Sequence, residues 1–128
     1  MSYEAGMIKH GDKLGLKWVG DILVGEVHGA YNEEGITGVF TDIKESVLKS
    51  GLSSWYRIEI WNDAIGSPEV VELLSEMYTW CKEHGCLATA AVITNRVQEK
   101  IIEERLPNIV KVFADKEQAM AWLKAQRV

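Results

Sequence analysis

Alternation of apolar and polar side chains predicts two strands near the start of the chain. Residues 13–19 alternate as a half-buried strand does, and residues 22–28 form a second short apolar run. The Gly20-Asp21 dipeptide between the two runs suits a tight turn. We therefore predict that the two runs form an antiparallel hairpin.

Three helix–strand units follow this hairpin. Apolar residues at helical spacing, with capping residues before them and Gly or Pro after them, indicate the helices. The predicted strands are 55–61, 87–93 and 109–113. The predicted helices are 33–50 after a cap at Asn32, 68–84 after Ser67, a short helix from Thr94 or Asn95 to Arg105, and a closing helix over 117–124.

This order of elements predicts an α/β fold, because strands that alternate with helices pair in parallel through right-handed crossovers. We expect four to five strands in a mixed, mostly parallel sheet that begins with the antiparallel hairpin. We also expect four helices packed mainly on one face of this sheet.

Charged residues within the strands are the reason for expecting one main helical face. Parallel strands covered on both faces are apolar throughout. The residues that interrupt this pattern are Lys13, Lys17, Arg57, Glu59 and Lys111. The sheet face away from the helices is therefore expected to be partly wet or covered by a partner.

Composition sets limits on the class of protein. The 128 residues predict one domain, 1–128, and 47% hydrophobic with 26% charged residues is ordinary for a globular protein. The net charge of −5 and the absence of a Lys or Arg run argue against nucleic-acid binding. No segment has the length and apolar character of a membrane span, and the first residues lack a signal-peptide pattern. We therefore expect a cytoplasmic protein.

The two cysteines, Cys81 and Cys86, are too few for a disulfide scaffold. They are either free thiols in a reducing compartment or a redox pair. Their spacing is not Cys-x-x-Cys and no charge-rich motif flanks them, which favours free thiols.

The end of the chain carries a resemblance to a known family. Val112-Phe113 closes the last strand, and the helix that follows contains Glu117-Gln118-Ala119-Met120-Ala121-Trp122-Leu123. With the initial hairpin and the helix–strand units, this resembles the STAS fold, in particular its SpoIIAA-like branch. The resemblance implies a small, non-enzymatic domain related in architecture to the lipid-binding CRAL-TRIO domains. We expect Trp122 and Leu123 to lie in its core.

One departure from that family concerns phosphorylation. The resemblance implies an Asp-Ser-x-Gly motif at the start of the helix after the third strand, where this chain has Asp63-Ala64-Ile65-Gly66-Ser67-Pro68. Ser67 is either a phosphorylated serine or a helix cap, which contributes about 1 kcal/mol. The missing motif favours the cap and argues against a phosphorylation switch.

Polar residues at the ends of two strands form a candidate binding site, because ligands of open α/β sheets bind beyond the carboxyl ends of the strands. The candidates are Trp61, Asn62 and Asp63 after the third strand, Thr94, Asn95 and Arg96 after the fourth, and Ser67 at a helix start. If these strands are neighbours, the set could hold a polar or anionic group. The alternative is ordinary turn and cap chemistry.

The helix over 68–84 supplies two further candidates, Tyr78 and Trp80. Its apolar residues cover a wider arc of the helix circumference than packing against one neighbouring element requires. The two aromatic residues lie on opposite edges of this arc. The arc predicts either an interface or ligand groove, or a well-buried helix.

No residues combine into a catalytic or metal-binding motif. His10, His28 and His84 are dispersed, and no histidine lies near Asp63 in sequence. We therefore predict no enzymatic activity, no metal and no cofactor. One hypothesis is a regulatory domain that binds a protein partner or itself. The other is a carrier for a small apolar or amphipathic ligand, in the manner of CRAL-TRIO domains.

Overall fold

The computed structural model describes residues 8–9, 14–27, 33–61, 68–94, 96–105 and 110–126. The strands in these ranges are β1 Ile8–Lys9, β2 Leu14–Val19, β3 Ile22–Val27, β4 Trp55–Trp61, β5 Cys86–Val92 and β6 Val110–Phe113. The helices are α1 Glu33–Ser50, α2 Pro68–Glu83, α3 Arg96–Arg105 and α4 Lys116–Ala125. The predicted caps at Asn32 and Ser67 lie outside the described residues.

The strands form one mixed sheet in the order β1-β2-β3-β4-β5-β6. The pairs β1–β2 and β2–β3 are antiparallel, whereas β3–β4, β4–β5 and β5–β6 are parallel. The predicted α/β fold, with its hairpin followed by parallel strands, is thus confirmed. The two-residue strand β1 was not predicted, because so short a segment has no periodicity.

Three helices share one face of the sheet for a topological reason. From β3 to β6 each parallel strand is added beside the previous one in the same direction, so right-handed crossovers place α1, α2 and α3 on one side. Val39, Met77 and Ile102 from these helices belong to one buried cluster. The closing helix α4 packs on the opposite face, where Ala119 and Leu123 are fully buried. The expectation of one main helical face is therefore confirmed.

The charged strand residues divide between the two faces. Lys17 and Lys111 are on the α4 side, where Lys17 is half-buried and Lys111 is exposed. Arg57 and Glu59 are on the three-helix side, and each is only 1% exposed. The expectation that Arg57 and Glu59 lie on a wet or partner-covered face was wrong, because side chains of β4 and α2 provide partners for their charges.

The end of α2 is tied to the start of β4 by backbone and side-chain hydrogen bonds. Gly85 has a φ of 102°, a conformation that favours glycine, and a Cβ there would collide with the carbonyl oxygen of Ser53. The Trp55 N–H donates to the Gly85 carbonyl at 3.0 Å, and Trp55 Nε1 donates to the His84 carbonyl at 2.9 Å. These bonds position α2 along the length of β4.

The closing helix begins at a side-chain cap. The Asp115 carboxylate accepts a hydrogen bond from the Gln118 N–H at 2.8 Å. Leu123 is completely buried, as predicted, but Trp122 is only partly buried and packs beside Phe113 with ring centres 5.6 Å apart. Trp122 is therefore at the margin of the core, not in its interior.

This difference in burial predicts a ranking of two alanine variants. Leu123→Ala should lower the free energy of unfolding by about 2–5 kcal/mol, because it leaves a cavity in the core. Trp122→Ala should lower it by less, because part of the ring is already in contact with water. Urea denaturation of both variants checks the ranking, and a larger loss for Trp122→Ala would contradict it.

Candidate functional site

The strand-end candidates follow two neighbouring parallel strands, β4 and β5, which is the condition that the prediction set. Trp61 ends β4, and Thr94 and Arg96 follow β5 at the same edge of the sheet. The other candidates at this edge, Asn62, Asp63, Ser67 and Asn95, lie outside the described residues. Their role as a binding set stays a prediction.

A shallow pocket of about 290 Å³ opens at the ends of β5 and β6. Thr94 and the oppositely charged Arg96 and Glu99 line it, together with apolar residues of both strands. The buried Gln98 holds the loop, since its Oε1 accepts from the Thr94 N–H at 2.8 Å. The strand order does not reverse between β3 and β6, whereas the ligand-binding crevices of open α/β sheets lie where the order reverses.

A buried charge cluster lies beneath α2 and was not predicted. Arg57 and Glu59 are two apart on β4, so both side chains point to the three-helix face. Arg57 Nη2 donates to Glu59 Oε2 at 2.7 Å, which makes a buried ion pair. We call the set Arg57, Glu59, Trp61 and Tyr78 the Glu59 cluster.

Glu59 accepts hydrogen bonds from three side chains. Besides Arg57, these are Trp61, whose Nε1 lies 2.6 Å from Glu59 Oε1, and the hydroxyl of Tyr78. The Arg57 guanidinium also lies over the Tyr78 ring, 4.9 Å from its centre. A buried carboxylate needs such donors, because an unpaired one would be very costly in this environment.

The surroundings of Arg57 include a buried thiol. Arg57 Nη1 lies 3.8 Å from Cys81 Sγ, and Arg57 Nε has no hydrogen-bond partner among the described residues. Burial is the largest single influence and acts to lower the pKa of Arg57, but Glu59 and the neighbouring Cys81 and Cys86 together outweigh it and raise the pKa above its usual value. Burial also raises the pKa of the Cys81 thiol, to about 11, although Arg57 opposes this shift.

The cluster is suited to holding β4 and α2 together rather than to chemistry. Its ionised groups are already paired, and the two cysteines are buried free thiols with raised pKa values, which keeps them protonated and unreactive. Sequence analysis missed Arg57 and Glu59 because it treated strand charges as exposed. The sequence feature that could have indicated their burial is a pair of opposite charges two residues apart in an otherwise apolar strand.

The predicted pair Tyr78 and Trp80 separates in the structure. Tyr78 points into the Glu59 cluster and is 1% exposed, whereas Trp80 is partly exposed between α1 and α2. Trp80 meets Phe40 of α1 edge to face, with ring centres 6.1 Å apart, and stacks on His84 at 4.0 Å. Lys44 lies over the Phe40 ring, 4.2 Å from its centre.

These aromatic residues form an open groove of about 390 Å³ on the outer side of the three-helix face. We call it the aromatic groove. The residues that line it are Phe40, Lys44, Ser75, Glu76, Thr79, Trp80 and Glu83. Among the predicted candidates that the structure describes, only Trp80 lines this groove.

Neither a membrane-spanning helix nor a metal-binding group occurs among the described residues. None of the helices there has the length and apolar character needed to cross a membrane. In the same residues, His, Cys, Asp and Glu side chains do not gather in groups of three or more that could hold a metal ion.

Comparison with solved structures identifies the fold. SpoIIAA of Bacillus in its phosphorylated form is 16% identical with a TM-score of 0.56, over 86% of this chain and 98% of that chain. SpoIIAA in its unphosphorylated form, described as an anti-sigma factor antagonist, is 14% identical with a TM-score of 0.58, over 90% and 99%.

An uncharacterised protein of the DUF3478 family from Shewanella loihica PV-4, described as having a SpoIIAA-like fold, is 18% identical with a TM-score of 0.59, over 86% of this chain and 91% of that chain. No family model and no curated protein matches the chain. The chain therefore has the SpoIIAA-like, STAS-type fold that the resemblance predicted. Identities this low establish the fold alone.

The Glu59 cluster predicts a non-additive pair of variants. Glu59→Leu should lower the free energy of unfolding by about 3–5 kcal/mol, because it leaves the Arg57 charge buried and unpaired. The double variant Arg57→Met/Glu59→Leu should be more stable than Glu59→Leu alone, since no buried charge remains. Urea denaturation measures both, and a double variant less stable than the single one would contradict this account.

The raised pKa of Cys81 predicts a loss of stability in alkali. The folded chain keeps the thiol protonated up to about pH 11, whereas the unfolded chain releases the proton near pH 9. The stabilisation is therefore complete below pH 9 and is lost as the pH rises to 11, by up to about 3 kcal/mol. Cys81→Ala should show a smaller loss over this range in urea denaturation, and an equal loss in both proteins would refute the assignment.

Proposed function

We propose that this chain is a non-enzymatic regulatory domain that binds a protein partner, and that the aromatic groove is its contact surface. The observation that carries the proposal is the group of partly exposed aromatic side chains between α1 and α2, centred on Phe40 and Trp80. Aromatic residues are enriched in the cores of protein interfaces, where they supply much of the binding energy.

The interior supports a non-enzymatic role. The buried charged residues of the Glu59 cluster, Arg57 and Glu59, bond to each other, and Glu59 also bonds to Trp61 beneath α2. A catalytic group must reach its substrate, and Arg57 and Glu59 are each 1% exposed. The free thiols are in keeping with a reducing, cytoplasmic environment.

The fold supports a regulatory role by analogy only. Two of the similar structures are of SpoIIAA, described as a cell fate determinant and as an anti-sigma factor antagonist. One fold can host unrelated functions, so the analogy raises the expectation of a regulatory partner without identifying one.

The alternative of a ligand carrier has less support. A carrier in the manner of CRAL-TRIO domains needs a cavity large enough for an apolar ligand, and the wide apolar arc of α2 was the reason to expect one. The space beneath this arc is occupied by the side chains of Arg57, Met77 and Tyr78, each at most 1% exposed. The arc is thus used in packing.

Photocrosslinking tests the proposed function. A photoreactive amino acid at position 79, where Thr79 lines the groove, should form a covalent adduct with one reproducible protein in cells that naturally carry this chain. The same amino acid at position 117, where exposed Glu117 lies on α4, is the matched control and should not form it. Mass spectrometry identifies the adduct.

A variant with an altered groove distinguishes specific from random crosslinking. Trp80→Ala should abolish the adduct at position 79 while the circular dichroism spectrum stays that of the folded chain. An adduct of twice the chain's mass would indicate self-association through the groove. Equal capture from positions 79 and 117, or none from either, would contradict the proposal.

A further inference from the structure

An acidic stripe runs along α2 beside the aromatic groove. Glu72, Glu76 and Glu83 are separated by four and seven residues, so they lie on the same side of the helix, and all three are exposed. Glu76 and Glu83 also line the groove. The groove therefore has an aromatic floor of Phe40 and Trp80, with Lys44 beside it, and an acidic wall.

The basic residue that lines the groove, Lys44, does not form an ion pair with this wall. Lys44 directs its ammonium group over the rings of Phe40 and Trp80, at 4.2 and 5.9 Å from their centres. In the part of the chain that the structure describes, no basic side chain forms an ion pair with any of the three glutamates. The stripe retains a net negative charge.

The isolated fold gains nothing from this arrangement. Like charges four residues apart, as in Glu72 and Glu76, destabilise a helix. Glu83 is in the last turn of α2, where the helix dipole disfavours a negative charge. A bound group with positive charges would remove both penalties.

Helix α1 extends the apolar part of the same surface. Phe40, Lys44 and Leu48 are spaced four residues apart, so they lie on one side of α1. Leu48 is 69% exposed and lies eight residues beyond Phe40 on this side of α1, outside the residues that line the groove. The surface thus offers apolar contacts along more than two turns of helix.

We propose that the aromatic groove binds a basic amphipathic helix of a protein partner. Apolar side chains of that helix, at spacings of three and four residues, would cover Phe40, Trp80 and Leu48. Its Lys or Arg residues would pair with the acidic stripe of α2. This inference rests on the proposed function and names the chemistry of the partner.

The charge of the stripe disfavours two other occupants. A second copy of this chain in a symmetric dimer would bring identical surfaces together, and thus one acidic stripe close to another. An anionic membrane surface would be repelled by the same carboxylates. A cationic helix is the occupant that complements the wall and the floor together.

Binding of synthetic helices tests the inference. The probe is a peptide with leucine at amphipathic helical spacing and lysine elsewhere, and its control has glutamate in place of lysine. Isothermal titration should show binding of the lysine peptide that weakens at high salt, because ion pairs at the surface are screened. The glutamate peptide should not bind.

Two matched double variants locate the site. Glu76→Gln/Glu83→Gln should weaken binding of the lysine peptide by about tenfold or more, whereas Glu103→Gln/Glu104→Gln on α3 should change it by less than about twofold. All four glutamates are exposed, so both variants should fold. Leu48→Ala should weaken binding as well.

The outcomes separate this inference from the proposed function. Equal weakening by both double variants, binding of both peptides, or no binding of the lysine peptide would overturn the basic-helix partner. If the crosslink at position 79 still forms in those cases, the groove is an interface for a partner of other chemistry. Co-sedimentation with phosphatidylserine vesicles that depends on Trp80 would overturn the basic-helix partner in favour of a membrane. Dimerisation through the groove would overturn it in favour of a second copy of this chain.

Discussion

The ion pair between Arg57 and Glu59 is the constraint on which the arrangement of the three-helix face depends. Two charges on a central strand are tolerated only if nearby side chains complete their bonding. Tyr78 supplies one of these bonds from α2, so that helix must turn this side to the sheet. Trp80, two residues further on, is thereby directed away from the sheet and toward Phe40. The polar interior thus determines which aromatic residue reaches the surface.

Much of the fold could be predicted because its elements carry their own periodicity. The hairpin at Gly20-Asp21, the helices and the parallel strands appear where apolar spacing placed them. The burial of Arg57 and Glu59 could not be predicted in this way, since patterning assigns a charged residue to water unless its partner is known. That partner includes Tyr78, which is distant in sequence and was counted as part of an apolar arc.

The candidate sites were harder to predict, because they depend on how elements lie side by side. The strand-end rule nominates Thr94 and Arg96 from their place in the chain, whereas the crevice it relies on forms only where the order of the strands reverses. The groove needs α1 beside α2, which brings Phe40 to Trp80. Trp122 illustrates the same limit of prediction from sequence. Its spacing along the helix places it near the core, but only the packed structure shows that it is less buried than Leu123.

The unbroken strand order has a consequence for how the chain folds. Each strand pairs with the one that precedes it in sequence, so every pairing closes a loop no longer than one helix and its connections. Pairing in chain order avoids the longer loops that a reversed strand order would need, and so keeps the loop-closure penalty of each pairing lower. The sheet can therefore grow from the hairpin toward β6 as the polypeptide leaves the ribosome. Helix α4 follows β6 in the chain, so it can cover the second face only after β6 has been synthesised.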